Sequence, residues 1–145
     1  MTIYTMGFTQ KSAEQFFRKI SENGIDLLVD IRLNNKSQLA GFAKGADLSY
    51  FLKEICGCGY SHEVAFAPTK DLLDRYKKGK TSWEQYVEEY NRLIETRKMT
   101  EKFESKYSGY KNILLLCSEP TPMQCHRRLL AEAVCKEKGY ELKHI

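Results

Sequence analysis

Two short and almost uninterrupted apolar runs constrain the fold of this chain more than any other feature of its sequence. They occupy residues 25–31 and 113–117, and neither alternates between apolar and polar residues as a half-exposed strand would. Strands of this kind are buried on both faces, as interior strands of parallel sheets are. Each run is followed downstream by apolar residues at helical spacing, so the sequence predicts alternating strands and helices.

Other segments extend this alternation along the chain. Further strands are predicted over residues 3–8, 60–66 and 140–144. Polar residues that cap helices predict five helix starts, at Ser12, Asp47, Thr69, Ser82 and Thr121. The helix after Ser82 is expected to continue, with a kink near Thr100, towards residue 109. The helix from Thr121 carries proline at its first position and is expected to end at Gly139.

The resulting order, β-α-β-α-β-α-α-β-α-β, predicts a single three-layer α/β domain over residues 1–145. Its sheet is expected to be mostly parallel and five-stranded, with helices on both faces joined by right-handed crossovers. A length of 145 residues is typical of one domain. Because open sheets of this class place ligands beyond the carboxyl ends of their strands, the functional site is predicted there.

Composition indicates the cellular compartment of the protein and the classes of partner to expect. Five irregularly spaced cysteines, an odd number, favour a reducing compartment, and the first residues lack the pattern of a signal peptide. No apolar run approaches the roughly 20 residues that span a bilayer. A cytoplasmic protein without a membrane partner is therefore expected. The net charge of +4 is too small to indicate a nucleic-acid partner, no nucleic-acid-binding motif supports one, and the oligomeric state is not predicted.

Residues with polar, charged or nucleophilic side chains follow the predicted strands at their carboxyl ends. They are Thr9, Asp30, Arg32, Cys117, Ser118 and Glu119, and then Cys125, His126, Arg127 and Arg128 in the helix after the fourth strand. A helix start attracts anions, and a thiol in such a field loses its proton more easily. Cys125 is therefore the preferred catalytic nucleophile and Cys117 the second candidate.

The remaining residues of this set receive supporting roles. Glu119 or His126 would transfer protons, and an anionic substrate would be held by the others, namely Arg32, Asp30, Arg127, Arg128, Thr9 and Ser118. A small anionic ligand is thus the expected partner.

Each candidate also has a purely structural interpretation. Cys117 ends an apolar strand and suits a small core position, and Cys125 fits either interpretation. His126 shares a helix face with apolar residues, which fits a core histidine bonded to the backbone. Asp30 and Arg32 would serve equally as a buried ion pair at a strand end.

A metal site is not predicted. Cys56 and Cys58, with His62 nearby, are separated by one residue, whereas zinc-binding cysteines are usually separated by two to four and need further ligands. No cofactor is predicted either.

Four segments together resemble the domain-of-unknown-function family 488: residues 3–7, 28–32, 114–119 and 125–127. The resemblance implies a small α/β domain, common in bacteria and archaea, whose activity is not established. It implies a shared motif made of Asp30, Arg32, Cys117, Glu119, Cys125, His126 and Arg127. One departure is Phe8, since many members have histidine after the glycine of the first motif.

A weaker likeness is to rhodanese-type sulfurtransferases, which also have an Asp-x-Arg at a strand end and a strand-end cysteine before a helix. Here the stretch between Cys117 and Cys125 is longer than the compact persulfide loop of rhodaneses, and it lacks that loop's glycines and arginines.

Three functional hypotheses follow, and the sequence does not decide whether the chain is an enzyme. The first is a thiol-dependent enzyme acting on an anionic substrate. The second is a non-catalytic module that binds a phosphate-bearing ligand, a nucleotide or a nucleic acid. The third is an interaction domain in which the motif residues form a buried hydrogen-bond network.

Overall fold

The structure, a computed structural model, describes residues 1–36, 41–119 and 123–145. Five strands lie in this part of the chain: β1 (Thr2–Gly7), β2 (Leu27–Asp30), β3 (Gly59–His62), β4 (Asn112–Cys117) and β5 (Glu141–His144). They form one sheet in the order β3-β2-β4-β1-β5, and every neighbouring pair is parallel. The predicted α/β class with a five-stranded parallel sheet is confirmed.

Six α-helices connect these strands in the described residues. They are α1 (Ala13–Glu22), α2 (Gly45–Phe51), α3 (Lys70–Lys77), α4 (Trp83–Thr96), α5 (Met99–Tyr107) and α6 (His126–Lys138). The predicted capping box at Ser12 and the predicted cap at Ser82 are confirmed, and Ser82 also closes a capping box. The helix predicted to start at Thr69 is capped by the hydroxyl of that residue. None of these helices is both long and apolar enough to cross a bilayer.

The two faces of the sheet carry separate hydrophobic cores. Along β4, Leu115 and Cys117 join the core that contains the buried residues of α3, α4, α5 and α6. The intervening Leu114 and Leu116 join the core formed with α1 and α2. This alternation is the period-two geometry of a strand buried on both sides, and it confirms the three-layer arrangement.

Adjacent strands β1 and β4 send their connections to opposite faces of the sheet. The helix after β1 is α1, on one face, and the helix after β4 is α6, on the other. A crevice opens beyond the carboxyl ends of two strands that diverge in this way. Gly7 and Cys117, which pair across the sheet, stand at its edge.

Two element boundaries differ from their predicted positions because tertiary contacts override local signals. Asp47 is not a cap, since α2 begins at Gly45 after Lys44, and Asp47 lies in its first turn. The third strand ends at His62 and not at residue 66, because its neighbour β2 pairs only as far as Asp30. Residues Val64–Phe66 form a turn of 3-10 helix instead.

Two further helix predictions are wrong. The kink predicted near Thr100 is a complete break, where Lys98 adopts φ 51° between α4 and α5. The last helix begins at His126, and its extended N-cap residue is Cys125, four residues after the predicted capping residue. The predicted capping residue Thr121 lies outside the described residues.

Candidate active site

Cys117 at the end of β4 and Cys125 at the start of α6 are joined by a disulfide. Their side chains are almost fully buried, with 2% and 3% of their surface exposed, yet both line one cleft at the carboxyl edge of the sheet. Their Cα atoms are 7.7 Å apart, beyond the usual 4.4–6.8 Å of disulfides. The sequence places these two cysteines near each other but does not predict a bond between them.

His126 is held in one tautomer by the backbone of β2. Its Nε2 atom lies 2.9 Å from the carbonyl oxygen of Ile31, which can only accept a hydrogen bond. Nε2 therefore carries the proton, and Nδ1 keeps its lone pair. Burial lowers the pKa of His126 to about 4, and its ring packs in a T-shaped arrangement against the ring of Tyr90. The ring is accordingly neutral at pH 7.

Arg127 is a buried cation without an ion-pair partner in the described residues. Only 1% of its surface is exposed. Its Nη1 atom donates to the carbonyl oxygen of Glu119 at 2.6 Å and lies 3.6 Å from the sulfur of Cys117. Its Nε atom has no hydrogen-bond partner among the residues that the structure describes. Burial lowers the pKa of Arg127 to about 10, so the guanidinium remains charged at neutral pH.

Gly7 makes the approach of Glu119 to the sheet possible. A Cβ atom at Gly7 would overlap the carbonyl oxygen of Glu119, the same oxygen that Arg127 contacts. Thr9 secures the preceding residue, since its hydroxyl donates to the carbonyl of Ser118 at 2.5 Å. Thr9 thus contacts the backbone beside the cleft, whereas Ser118 and Glu119 line the cleft itself.

Asp30 and Arg32 form a buried bidentate ion pair. The Nε and Nη2 atoms of Arg32 donate to the two carboxylate oxygens at 2.8 and 2.7 Å, and Nη2 also donates to the carbonyl of Ala43. The guanidinium lies over the ring of Phe8, 5.0 Å from its centre. Although Arg32 borders the cleft, its charge is already neutralised by Asp30.

Of the three arginines, Arg32 borders the cleft, whereas Arg127 and Arg128 do not line it. The guanidinium of Arg128 lies over the indole of Trp83 at 5.9 Å, and its Nε atom is 3.8 Å from a carboxylate oxygen of Glu132. The predicted cluster of three arginines is therefore divided. Arg127 lies behind the cysteines, Arg32 is paired with Asp30, and Arg128 faces α4.

The cleft has a volume of about 760 Å³, and α3 forms one wall. The sequence predictions miss the residues that α3 and its neighbours contribute. They include Lys70, Asp74, Tyr76, Lys77, Tyr86 and Gln124. No sequence signal marks them, because lysines on an amphipathic helix usually face solvent. Only the packing of α3 beside the sheet edge brings them to the site.

Cys117, Cys125 and His126 form the one group of metal-capable side chains found among the described residues. Their potential ligand atoms all lie within 4.8 Å of one another. Cys56, Cys58 and His62 point elsewhere, to the backbone of Phe17, Gly59 and Arg32 respectively.

Comparison with known proteins identifies one related family. The model described as "Domain of unknown function DUF488" matches residues 12–134. The match includes every candidate site residue from Asp30 to Arg128, while Thr9 precedes it. No curated protein matches the chain, and no solved structure matches it. The rhodanese likeness therefore stays a prediction.

Proposed function

The chain belongs to the DUF488 family, and we propose that it is a thiol-dependent oxidoreductase acting on a small anionic substrate. In this proposal the Cys117–Cys125 pair cycles between dithiol and disulfide. The observation that carries the proposal is that two bonded cysteines line the same cleft, next to a neutral imidazole and a buried guanidinium.

Cys117 is the attacking thiol in the reduced protein. Its sulfur lies 3.6 Å from Nη1 of Arg127, a buried cation that forms no ion pair with a carboxylate of the described residues. A thiolate at Cys117 would supply the missing negative charge, and thiolates are the reactive form of cysteine. This reverses the order favoured by the sequence, in which Cys125 ranks first.

The reaction is a two-step exchange with a substrate disulfide. The Cys117 thiolate attacks one substrate sulfur, forms a mixed disulfide and expels the other half of the substrate as a thiolate. Cys125 then attacks Cys117 Sγ, forms the intramolecular bond and expels the second half. The substrate gains two electrons, the protein loses two, and the two thiol protons leave with the products. An external thiol reductant restores the dithiol.

Positive charges favour an anionic substrate at this cleft. Lys70 and Lys77 are exposed at its border, and the positive end of α6 lies at Cys125. Asp74 and Glu119 offset part of this charge. We therefore expect recognition of one or two carboxylate or sulfonate groups and not of a polyanion.

The test uses the reduced, metal-free protein and an aromatic disulfide that carries two carboxylates. Wild type should release both aromatic thiolates and retain no adduct, whereas Cys125→Ser should release one and retain the mixed disulfide on Cys117. Cys135→Ser is the matched control, because burial raises the pKa of that thiol to about 11. All variants carry Cys56→Ser, which removes the half-buried free thiol.

The charge preference is measured with the same protein and an uncharged disulfide of similar size. Lys70→Ala with Lys77→Ala should slow the reaction of the dicarboxylate by about tenfold and leave the uncharged reagent unaffected.

Retention of an adduct by wild type, or a mixed disulfide that forms only in Cys117→Ser, would overturn the proposed roles of the two cysteines.

A non-catalytic phosphate-binding module is the second candidate, favoured by the start of α6 at the cleft and by the exposed Lys70 and Lys77 at the border of the cleft. Inorganic phosphate that binds equally well to wild type and to the Cys117→Ser, Cys125→Ser double variant, without any thiol exchange in wild type, would establish this function instead.

A further inference from the structure

We infer that Cys117, Cys125 and His126 form, in the dithiol state, a binding site for a thiophilic divalent cation of the Zn²⁺ type. The fourth coordination position of this site faces the cleft. The inference rests on the proposed function only in requiring that the two cysteines be reducible.

The first argument is the convergence of three ligand atoms of the right chemistry. Two sulfurs and one ring nitrogen lie within 4.8 Å of one another, all from buried residues. Thiolate and imidazole are the ligands that Zn²⁺ prefers, and Cys₂His sets with one open position occur in catalytic zinc sites. Two of the three ligands are adjacent in sequence, and the third ends the neighbouring strand.

The second argument is the orientation of His126. A metal-binding histidine usually donates its other ring N–H to a carbonyl or carboxylate, which fixes the tautomer and the ring plane. Nε2 of His126 makes such a bond, at 2.9 Å, to the carbonyl of Ile31 on β2. The lone pair of Nδ1 is thereby retained, so Nδ1 is the ligand atom that we infer.

The third argument is the spacing of the two cysteines. Their Cα atoms are 7.7 Å apart, wider than the 4.4–6.8 Å usual for disulfides. Two sulfurs that share a tetrahedral zinc at 2.3 Å lie about 3.8 Å apart, well beyond bonding distance. A backbone that holds the cysteines this far apart accommodates an ion between the sulfurs more readily than it accommodates an ordinary disulfide.

The surroundings also support a metal-bound thiolate. Nη1 of Arg127, at 3.6 Å, is placed to donate an N–H bond to the sulfur of Cys117. Because all three ligands border the cleft, the open position is accessible to water or to a substrate anion. A bound cation would hold the cysteines reduced and block their exchange chemistry, whereas formation of the disulfide would expel the ion. Metal and substrate would thus compete for the same pair of thiols.

The inference is tested by titrating the phosphine-reduced protein with Co²⁺ in the absence of oxygen. One equivalent should produce sulfur-to-cobalt charge-transfer absorption and the visible bands of a tetrahedral ion, and Zn²⁺ should remove both. Cys117→Ser and Cys125→Ser should each weaken Co²⁺ binding by about 100-fold or more. The matched control is the Cys56→Ser, Cys58→Ser double variant, which removes the other cysteine pair and should bind Co²⁺ like wild type.

His126 is buried, so His126→Gln is informative only if its circular dichroism matches that of wild type. X-ray absorption of the wild-type cobalt complex provides the same information without a variant, and it should show two sulfurs and one imidazole. Absence of the charge-transfer band, or a band lost only in the Cys56→Ser, Cys58→Ser variant, would overturn the inference. Because these readouts use no substrate, they are independent of the thiol-exchange assay, which uses metal-free protein.

Discussion

Replacement of Asp30 by asparagine should destabilise the protein more than any isosteric change at its surface. The carboxylate has no exposed surface. It accepts hydrogen bonds from the backbone N–H of Arg32 at 3.2 Å, from the Nε and Nη2 atoms of that side chain, and from the hydroxyl of Tyr60 at 2.7 Å. The carboxylate of Asp30 therefore holds the backbone and side chain of Arg32 and the side chain of Tyr60 together at the carboxyl end of β2.

The magnitude follows from what Asp30→Asn leaves behind. The amide keeps the shape of the carboxylate but removes the charge, so the guanidinium of Arg32, only 4% exposed, stays buried without a counter-ion. Loss of one partner of a buried ion pair typically costs about 3–5 kcal/mol. By contrast, Glu14→Gln removes an exposed partner of Arg18 and should cost about 0.5 kcal/mol or less.

Urea unfolding of the three proteins measures the difference. With a slope of about 2 kcal/mol per M, a loss of about 4 kcal/mol lowers the midpoint by about 2 M. Glu14→Gln should shift the midpoint by no more than about 0.3 M. A cost below about 1 kcal/mol for Asp30→Asn would refute the assignment of this pair as a buried, desolvated interaction. The Asp30→Leu, Arg32→Met double variant should recover part of the lost free energy of unfolding, because it leaves no unpaired charge.

Three further predictions concern the backbone, pH and helix capping. Gly7→Ala should cost about 1–3 kcal/mol in urea unfolding, since its methyl group overlaps the carbonyl of Glu119, whereas Gly109→Ala, with nothing near its Cβ, should be close to neutral. Because the folded pKa of His126 is about 4 and the unfolded value near 6.5, the unfolded state binds more protons between these values. The free energy of unfolding of the oxidised protein should therefore fall by up to roughly 3 kcal/mol as the pH falls through this range. A His126→Gln variant whose unfolding free energy depends on pH as that of wild type does would contradict this. Ser82→Ala removes the capping hydroxyl of α4 and should lower the free energy of unfolding by about 1 kcal/mol, and an unchanged melting temperature would count against it.

The fold class could be predicted because its signals are local. The apolar run of β4 and the capping boxes at Ser12 and Ser82 depend on residues within one or two turns of each other. The start of α6 could not be predicted in the same way. Cys125 has an extended backbone because it lies against the end of β4, a contact that no local pattern records.

Part of the candidate site also follows from the sequence. The carboxyl ends of parallel strands share one edge, so residues after β2 and β4 were expected to meet near the start of α6. Which of the arginine side chains keeps a charge without a neutralising partner near the cysteines depends on how the side chains pair in three dimensions. Arg32 is neutralised by Asp30, Arg128 faces Trp83, and Arg127 alone stays close to a cysteine.

The amino-acid sequence alone thus specifies the class of fold, the edge of the sheet that carries the site and the types of side chain at that edge. It does so because hydrophobic periodicity and strand direction depend on neighbouring residues in the chain. Three other features are set by the tertiary structure, namely the bond between Cys117 and Cys125, the tautomer of His126 and the wall of the cleft formed by α3. Each depends on distances of a few ångströms between segments far apart in sequence, and only the packing of helices on the sheet sets those distances.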